Sequence, residues 1–191
     1  MKKICLVVII GLLSGTVVFA DHAQESLAVG GVFGVGLAGN GPDLYCDFYP
    51  MSLSIHIPKV PLMWGLHWKI PFGHGFGMGL TGDWYFAEPN LVEKTTTNKD
   101  GTYELKIDWY VGLGFYGEIY GMLGIVAGAG GLRIPFGVSF HVMEQIKQLE
   151  VSVGSVAGVG VGGASFWGLR SKPYCHWFFT PLEVGVRWWF D

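Results

Sequence analysis

The stretch TYELKIDWYVGLGFY, residues 102–116, alternates without a break. Tyr103, Leu105, Ile107, Trp109, Val111, Leu113 and Phe115 share one parity, and Glu104, Lys106, Asp108, Tyr110 and Tyr116 share the other. Successive side chains of a strand point to opposite faces, so this period of two puts every charge on one face and the bulky apolar groups on the other. A helix would need a period of about 3.6.

The same pattern recurs along the chain. In residues 26–39, Leu27, Val29, Gly31, Phe33, Val35 and Leu37 oppose Ala28, Gly30, Val32, Gly34, Gly36 and Ala38, one face bulky and the other small. Residues 43–57 alternate with a change of phase at Tyr49-Pro50, where a bulge would keep both apolar sets on one face. Residues 62–70, 75–86, 131–142, 149–161 and 182–190 complete the series. NKDG at 98–101 is a hairpin signal. The count is eight strands. GEIYGMLGIVAGAGG, 117–131, reads as a glycine-rich loop, or as a further hairpin that would raise the count to ten. Residues 162–179 read as a loop before the closing strand.

Size decides which face is wet. The bulky face carries Trp64, Trp68, Trp84, Trp109 and Trp188, whereas the opposite face of three strands is mostly Gly, Ala and Ser. An eight-stranded barrel has an interior only wide enough for side chains to fill, so the large set would overpack it. The inverted arrangement fits: apolar groups toward lipid, small and charged groups in the lumen. Closure also pairs every backbone group that lipid cannot satisfy. The expected fold is all-β, a closed antiparallel up-and-down transmembrane β-barrel. Its lumenal charge network comprises Lys69, Asp83, Lys106, Asp108, Arg133, Glu183 and Arg187. A helical membrane protein is the competing class, since residues 151–169 are uncharged and place Gly154, Gly158 and Gly162 at GxxxG spacing. Val and Gly alternate there with period two, which argues for a strand.

The ends and the composition agree with an exported membrane protein. MKKICLVVIIGLLSGTVVFA, residues 1–20, has two lysines, an apolar run and small residues at Val18 and Ala20. That is the layout of a cleavable signal peptide, leaving residues 21–191 as one barrel domain. Hydrophobic residues make up 50% of the chain, charged ones only 14%, and the mean hydropathy is +0.40. A net charge of −3 offers no basic footprint for nucleic acid. Cys46 and Cys175 remain after processing and allow either one disulfide or two free thiols.

The stretches WYVGLGFYG, GLRIPFGVSF, QLEVSV and LEVGVRWWF, together with the leader and the aromatic final strand, resemble the small outer-membrane β-barrels of the OmpA/OmpX/OmpW-like group, closest to its uncharacterised members. The resemblance covers most of residues 26–190 and rests on strand pattern. It implies a bacterial outer-membrane location, contact with membrane lipid including outer-leaflet lipid, and assembly by the barrel-assembly machinery. It also implies that Leu182, Val184, Val186, Trp188 and Phe190 form the signal that machinery reads, although Asp191 makes the aromatic penultimate.

No stretch calls for catalysis or a cofactor. Gly34 to Gly39 fits G-x-G-x-x-G, but it lies within a strand and not at a strand-to-helix turn. Ser54–His56 and Ser139–His141 place a hydroxyl and an imidazole about 7 Å apart on one strand face, too far for a preformed dyad. None of the six histidines shows metal-ligand spacing. The expected role is a narrow or closed barrel acting as a scaffold or surface-contact protein. A small channel for an apolar or small polar solute is the alternative, and a lipid-modifying barrel enzyme a more distant one. The 162–179 loop, with Phe166, Trp167, Arg170, Lys172 and Tyr174, is the candidate for extracellular contact.

Overall fold

A computed structural model describes residues 26–40, 43–69, 76–87, 90–98, 101–122, 124–142, 148–166, 169–170 and 172–190. The leader at 1–20 and Asp191 lie outside them. The strands are β1 (Leu27–Asn40), β2 (Asp43–His56), β3 (Met63–Lys69), β4 (Phe76–Ala87), β5 (Asn90–Asn98), β6 (Gly101–Met122), β7 (Ile125–Val142), β8 (Leu149–Phe166), β9 (Leu169–Arg170) and β10 (Tyr174–Phe190). β4 and β5 both pair with β6 on the same side and make one stave, while β9 is a two-residue rung at the top of β8. The wall therefore has eight staves, all antiparallel, closed by β10 pairing with both β1 and β8.

The staves are tilted. Stepping sideways from Arg187 through paired residues leads to Gly30, Ser54, Gly65, Thr81, Tyr116, Gly131, Gly160 and then His176. The circuit returns to β10 far from where it started, and this stagger is the one a closed barrel requires.

Two sequence expectations are corrected. Residues 117–131 are neither a loop nor an extra hairpin; they extend β6 and β7, which meet in a turn where Gly124 has φ of 80°. A positive φ is available to glycine without penalty, so the chain reverses within a few residues. Residues 162–179 are likewise mostly wall, as the ends of β8 and β10, leaving only a short connection around β9. The helical alternative fails as well, because 151–166 lie in β8.

The expected bulge is present. Val32 pairs with Ser52 and Gly34 with Tyr49, so Pro50 and Met51 absorb an extra residue and the inward face is kept. A second bulge, between Thr180 and Glu183 beside Pro181, changes the phase of β10. His176, Phe178 and Thr180 point inward before it, and Glu183, Gly185 and Arg187 after it. Without that extra residue, one half of β10 would turn its charges toward lipid.

Bulky apolar residues dominate the described outward positions, with Leu80, Leu113, Leu132, Ile134, Val159, Leu182 and Val186 all exposed. Trp177 and Trp188 stand on this face of β10, eleven residues apart. At about 3.3 Å per residue and a tilt of about 40°, they are separated by about 25–28 Å along the barrel axis, the height of a transmembrane apolar band.

Inside, aromatic side chains lie over glycines. A Cβ on Gly158 would run into the Phe178 ring, and one on Gly160 would run into the Gly130 carbonyl oxygen and come within 2.7 Å of the Tyr116 hydroxyl. The Gly130 contact is backbone and cannot swing away. Gly160→Val is therefore expected to destabilise the barrel by about 1–3 kcal/mol or more, read as a lowered urea midpoint of the folded band on an unboiled gel.

Candidate functional site: the lumen

Small inward residues on β1, β2 and β8 leave room for long polar side chains from the facing staves. Among the described side chains β10 contributes to three such groups, and a fourth, Lys106, Asp108 and His141, lies on β6 and β7. Arg187 lies nearest the end that carries Leu27 and Phe190, Glu183 comes next, and His176 lies toward the far end.

In the first group Arg187 Nη1 donates to Glu150 Oε1 at 2.7 Å and Nε donates to Ser54 Oγ at 3.0 Å. Trp189 Nε1 donates to the other oxygen of Glu150 at 2.8 Å. Arg187 and Glu150 are both buried. Charge-assisted bonds of this kind offset the desolvation of two ions only where the remaining donors and acceptors are also satisfied. Here Ser54 takes the Nε donor and Trp189 satisfies the second oxygen of Glu150.

In the second group Arg133 is shared between Asp83, at 3.0 Å, and Glu183, at 3.8 Å. The third group is built around His176, whose side chain has no solvent exposure, with Nε2 3.1 Å from Glu118 Oε1 and Nδ1 2.7 Å from the Tyr116 hydroxyl. A carboxylate only accepts, so in the neutral ring Nε2 carries the proton and Tyr116 donates to Nδ1. Tyr120 also donates to Glu118. Phe178 packs edge-on against Tyr116 at 5.0 Å and closes this level.

Between the first and third groups lies a chamber of about 40 Å³, whose lining includes Ser52, His67, Thr81, Asp83, Arg133 and Glu183. That is room for on the order of three water molecules. A continuous aqueous path would need the polar groups above and below it to separate.

Of the charges expected in the lumen, Asp83, Arg133 and Glu183 come together, and Arg187 finds Glu150. Lys106 and Asp108 pair at 3.4 Å near the end bearing Leu27, with His141 3.8 Å from Asp108. The Lys69 side chain lies outside the described ones. In the final strand Leu182, Val186, Trp188 and Phe190 are exposed on the outer face and Val184 is half-buried there.

The disulfide is not formed. Cys175 is an exposed free thiol. Cys46 pairs with Leu37, and Leu37 with Phe179, four residues from Cys175 along β10. Four residues of strand span about 13 Å, well beyond the roughly 7 Å between Cα atoms that a disulfide bridges. The Ser54–His56 pair is also engaged elsewhere: Ser54 accepts from Arg187, and His56 Nδ1 donates to the Ser26 carbonyl at 2.9 Å.

Sequence reasoning missed the third group altogether, because Glu118 and His176 fell in segments read as loops. The signal was there: Tyr116, Glu118 and Tyr120 continue the parity of Asp108, and His176, Phe178 and Thr180 alternate with Cys175, Trp177 and Phe179.

No protein-family model matches the chain, and no curated protein sequence does. Among solved structures it is similar to Neisserial surface protein A from Neisseria, at 15% identity and a TM-score of 0.48, over 86% of this chain and 97% of that one. It is also similar to a major outer membrane protein from Thermus thermophilus, at 11% identity and a TM-score of 0.35, over 86% of this chain and 98% of that one. At these values neither likeness assigns a function.

Proposed function

We propose that the chain is an integral outer-membrane barrel of the bacterial envelope, with a closed lumen, that acts as a structural scaffold presenting its turns. The observation that carries this reading is the pairing of an apolar exterior with an interior filled by ion pairs. A soluble barrel has no reason to expose Leu80, Leu132 and Val159 together while burying Asp83, Arg133 and Arg187.

The partners that follow are membrane lipid, outer-leaflet lipid included, and the barrel-assembly machinery acting on Leu182, Val184, Val186, Trp188 and Phe190. The barrel end that carries Leu27 and Phe190 then faces the periplasm, and β9 lies toward the opposite, outer end. Lys172 is exposed there, so this short segment takes over the contact role expected of the longer 162–179 loop. The protein is not an enzyme on this reading.

Purified protein in a planar bilayer is expected to give no stable conductance steps, because about 40 Å³ of interior space does not form a pore. Large, long-lived steps would overturn the closed-barrel reading. A small channel is the second reading, favoured by one observation: Arg133 is shared between two carboxylates and could exchange between them. In that case Arg187→Ser changes the size of the conductance steps.

A further inference from the structure

β5 runs out of the barrel wall. Among the described strands it pairs with β6 alone, Asn90–Asn98 against Gly101–Asp108. The stave on its other side does not follow it, because β3 pairs with β4 only as far as Met63 and Asp83. β7 ends as well, with Val142 opposite Leu105, so the hairpin continues past it for the four residues 101–104, about 13 Å. The side of β5 turned away from β6 is thus an open sheet edge, beyond the outward-facing Trp84 and Trp109 and so outside the apolar band. Such an edge presents a row of backbone N–H and C=O groups that an added strand can pair with.

The side chains narrow what that strand can be. Leu91 and Val92 are exposed although they have left the band. Glu93 stands opposite Lys106, whereas Lys94 is exposed and stands opposite the apolar Leu105. Lys59 is exposed on the turn joining β2 to β3, the chain reversal on the side of the open edge. A lysine on the edge and the register shift between Asn90 and Val92 keep the strand from pairing indiscriminately. The same lysine admits an acidic partner and rejects a basic one. A second copy in the same membrane is related by an axis along the membrane normal, so it could meet β5 only as a parallel strand in register. That would set each Lys94 beside the other, and like charges directly opposite are destabilising.

We propose that the open edge of β5 is a docking site for an extended segment of another polypeptide, with apolar and acidic side chains, which adds to the sheet as a further strand. In the orientation proposed above, on which this inference rests, that partner is periplasmic and the barrel tethers it to the membrane.

The test is binding of a short synthetic peptide that alternates valine and threonine around a pair of glutamates, read by fluorescence anisotropy on the detergent-folded protein. Saturable binding is expected, with slowed amide hydrogen exchange over residues 90–98. The same peptide with its amides N-methylated keeps its charge but cannot extend a sheet, and should not bind. Lys94→Glu should weaken the acidic peptide by about tenfold, since an attractive cross-strand pair becomes a repulsive one, and should favour a version carrying lysines in place of the glutamates. No binding, equal binding of the acidic and lysine peptides to the wild type, or protection elsewhere than 90–98 would overturn the proposal. So would a dimer linked through Lys94→Cys in a Cys46→Ser, Cys175→Ser background, which gives the edge to a second copy. An unboiled gel of each sample reports the folded barrel, so a negative result with the folded band present strikes this inference and leaves the closed-barrel reading standing.

Discussion

Replacing Arg187 with alanine is expected to lower the stability of the barrel by about 3–5 kcal/mol. The size follows from what is left behind. Arg187 and Glu150 are both buried and 2.7 Å apart, so truncation strands a carboxylate that keeps its hydrogen bond from the Trp189 indole but loses its counter-charge. Ser54 loses its donor as well. Most of the penalty belongs to the uncompensated charge, so removing both charges should restore much of it: Arg187→Met combined with Glu150→Gln is expected to be clearly more stable than Arg187→Ala. Urea midpoints of the heat-modifiable folded band measure both. A single-mutant loss below about 1 kcal/mol, the range of solvated surface pairs, would mean that water reaches the lumen freely, and the closed-barrel reading would fall with it.

The second large effect is on the outside. Leu80 lies on β4 four residues from both Trp84 and Phe76, which places it midway across the apolar band. Leu80→Arg is expected to destabilise the barrel in phospholipid by about 2–4 kcal/mol, the cost of a cationic side chain at the bilayer midplane. In a soluble barrel the same exposed position would tolerate arginine within about 0.5 kcal/mol. Leu91→Lys is the matched control: Leu91 is equally apolar and more exposed, but it lies on β5 beyond Trp84, where the stave has left the band. Folding titrations in vesicles compare the three proteins. Equal stabilities would show that the exposed apolar surface does not face lipid.

Much of the fold was legible because the deciding signal is local. Alternation over 102–116 assigns a strand and both of its faces at once, and the structure buries Asp108 and Tyr110 while exposing Leu105, Trp109, Leu113 and Phe115. The change of phase at Pro50 was readable for the same reason. Glycine-rich wall was not. Where both faces are small, as at Gly128, Gly130 and Gly131, periodicity has no contrast, and a strand looks like a loop. The bulge beside Pro181 was hidden differently, because it inverts parity in the middle of β10 and each half is only a few residues long.

The sequence by itself determined the all-β class, the two-faced strands and the sorting of charged from bulky apolar residues, since each depends only on neighbours along one strand. It placed Asp83, Arg133, Glu183 and Arg187 inside on that basis. Only the tertiary structure decided which charges meet. Glu150 reaches Arg187 across the β8–β10 seam, and Glu118 reaches His176 because the tilt of the staves brings β6 and β10 to one level. Those pairings depend on the stagger with which the barrel closes. That stagger comes from all eight staves and their bulges together, which the alternation within any one strand does not encode.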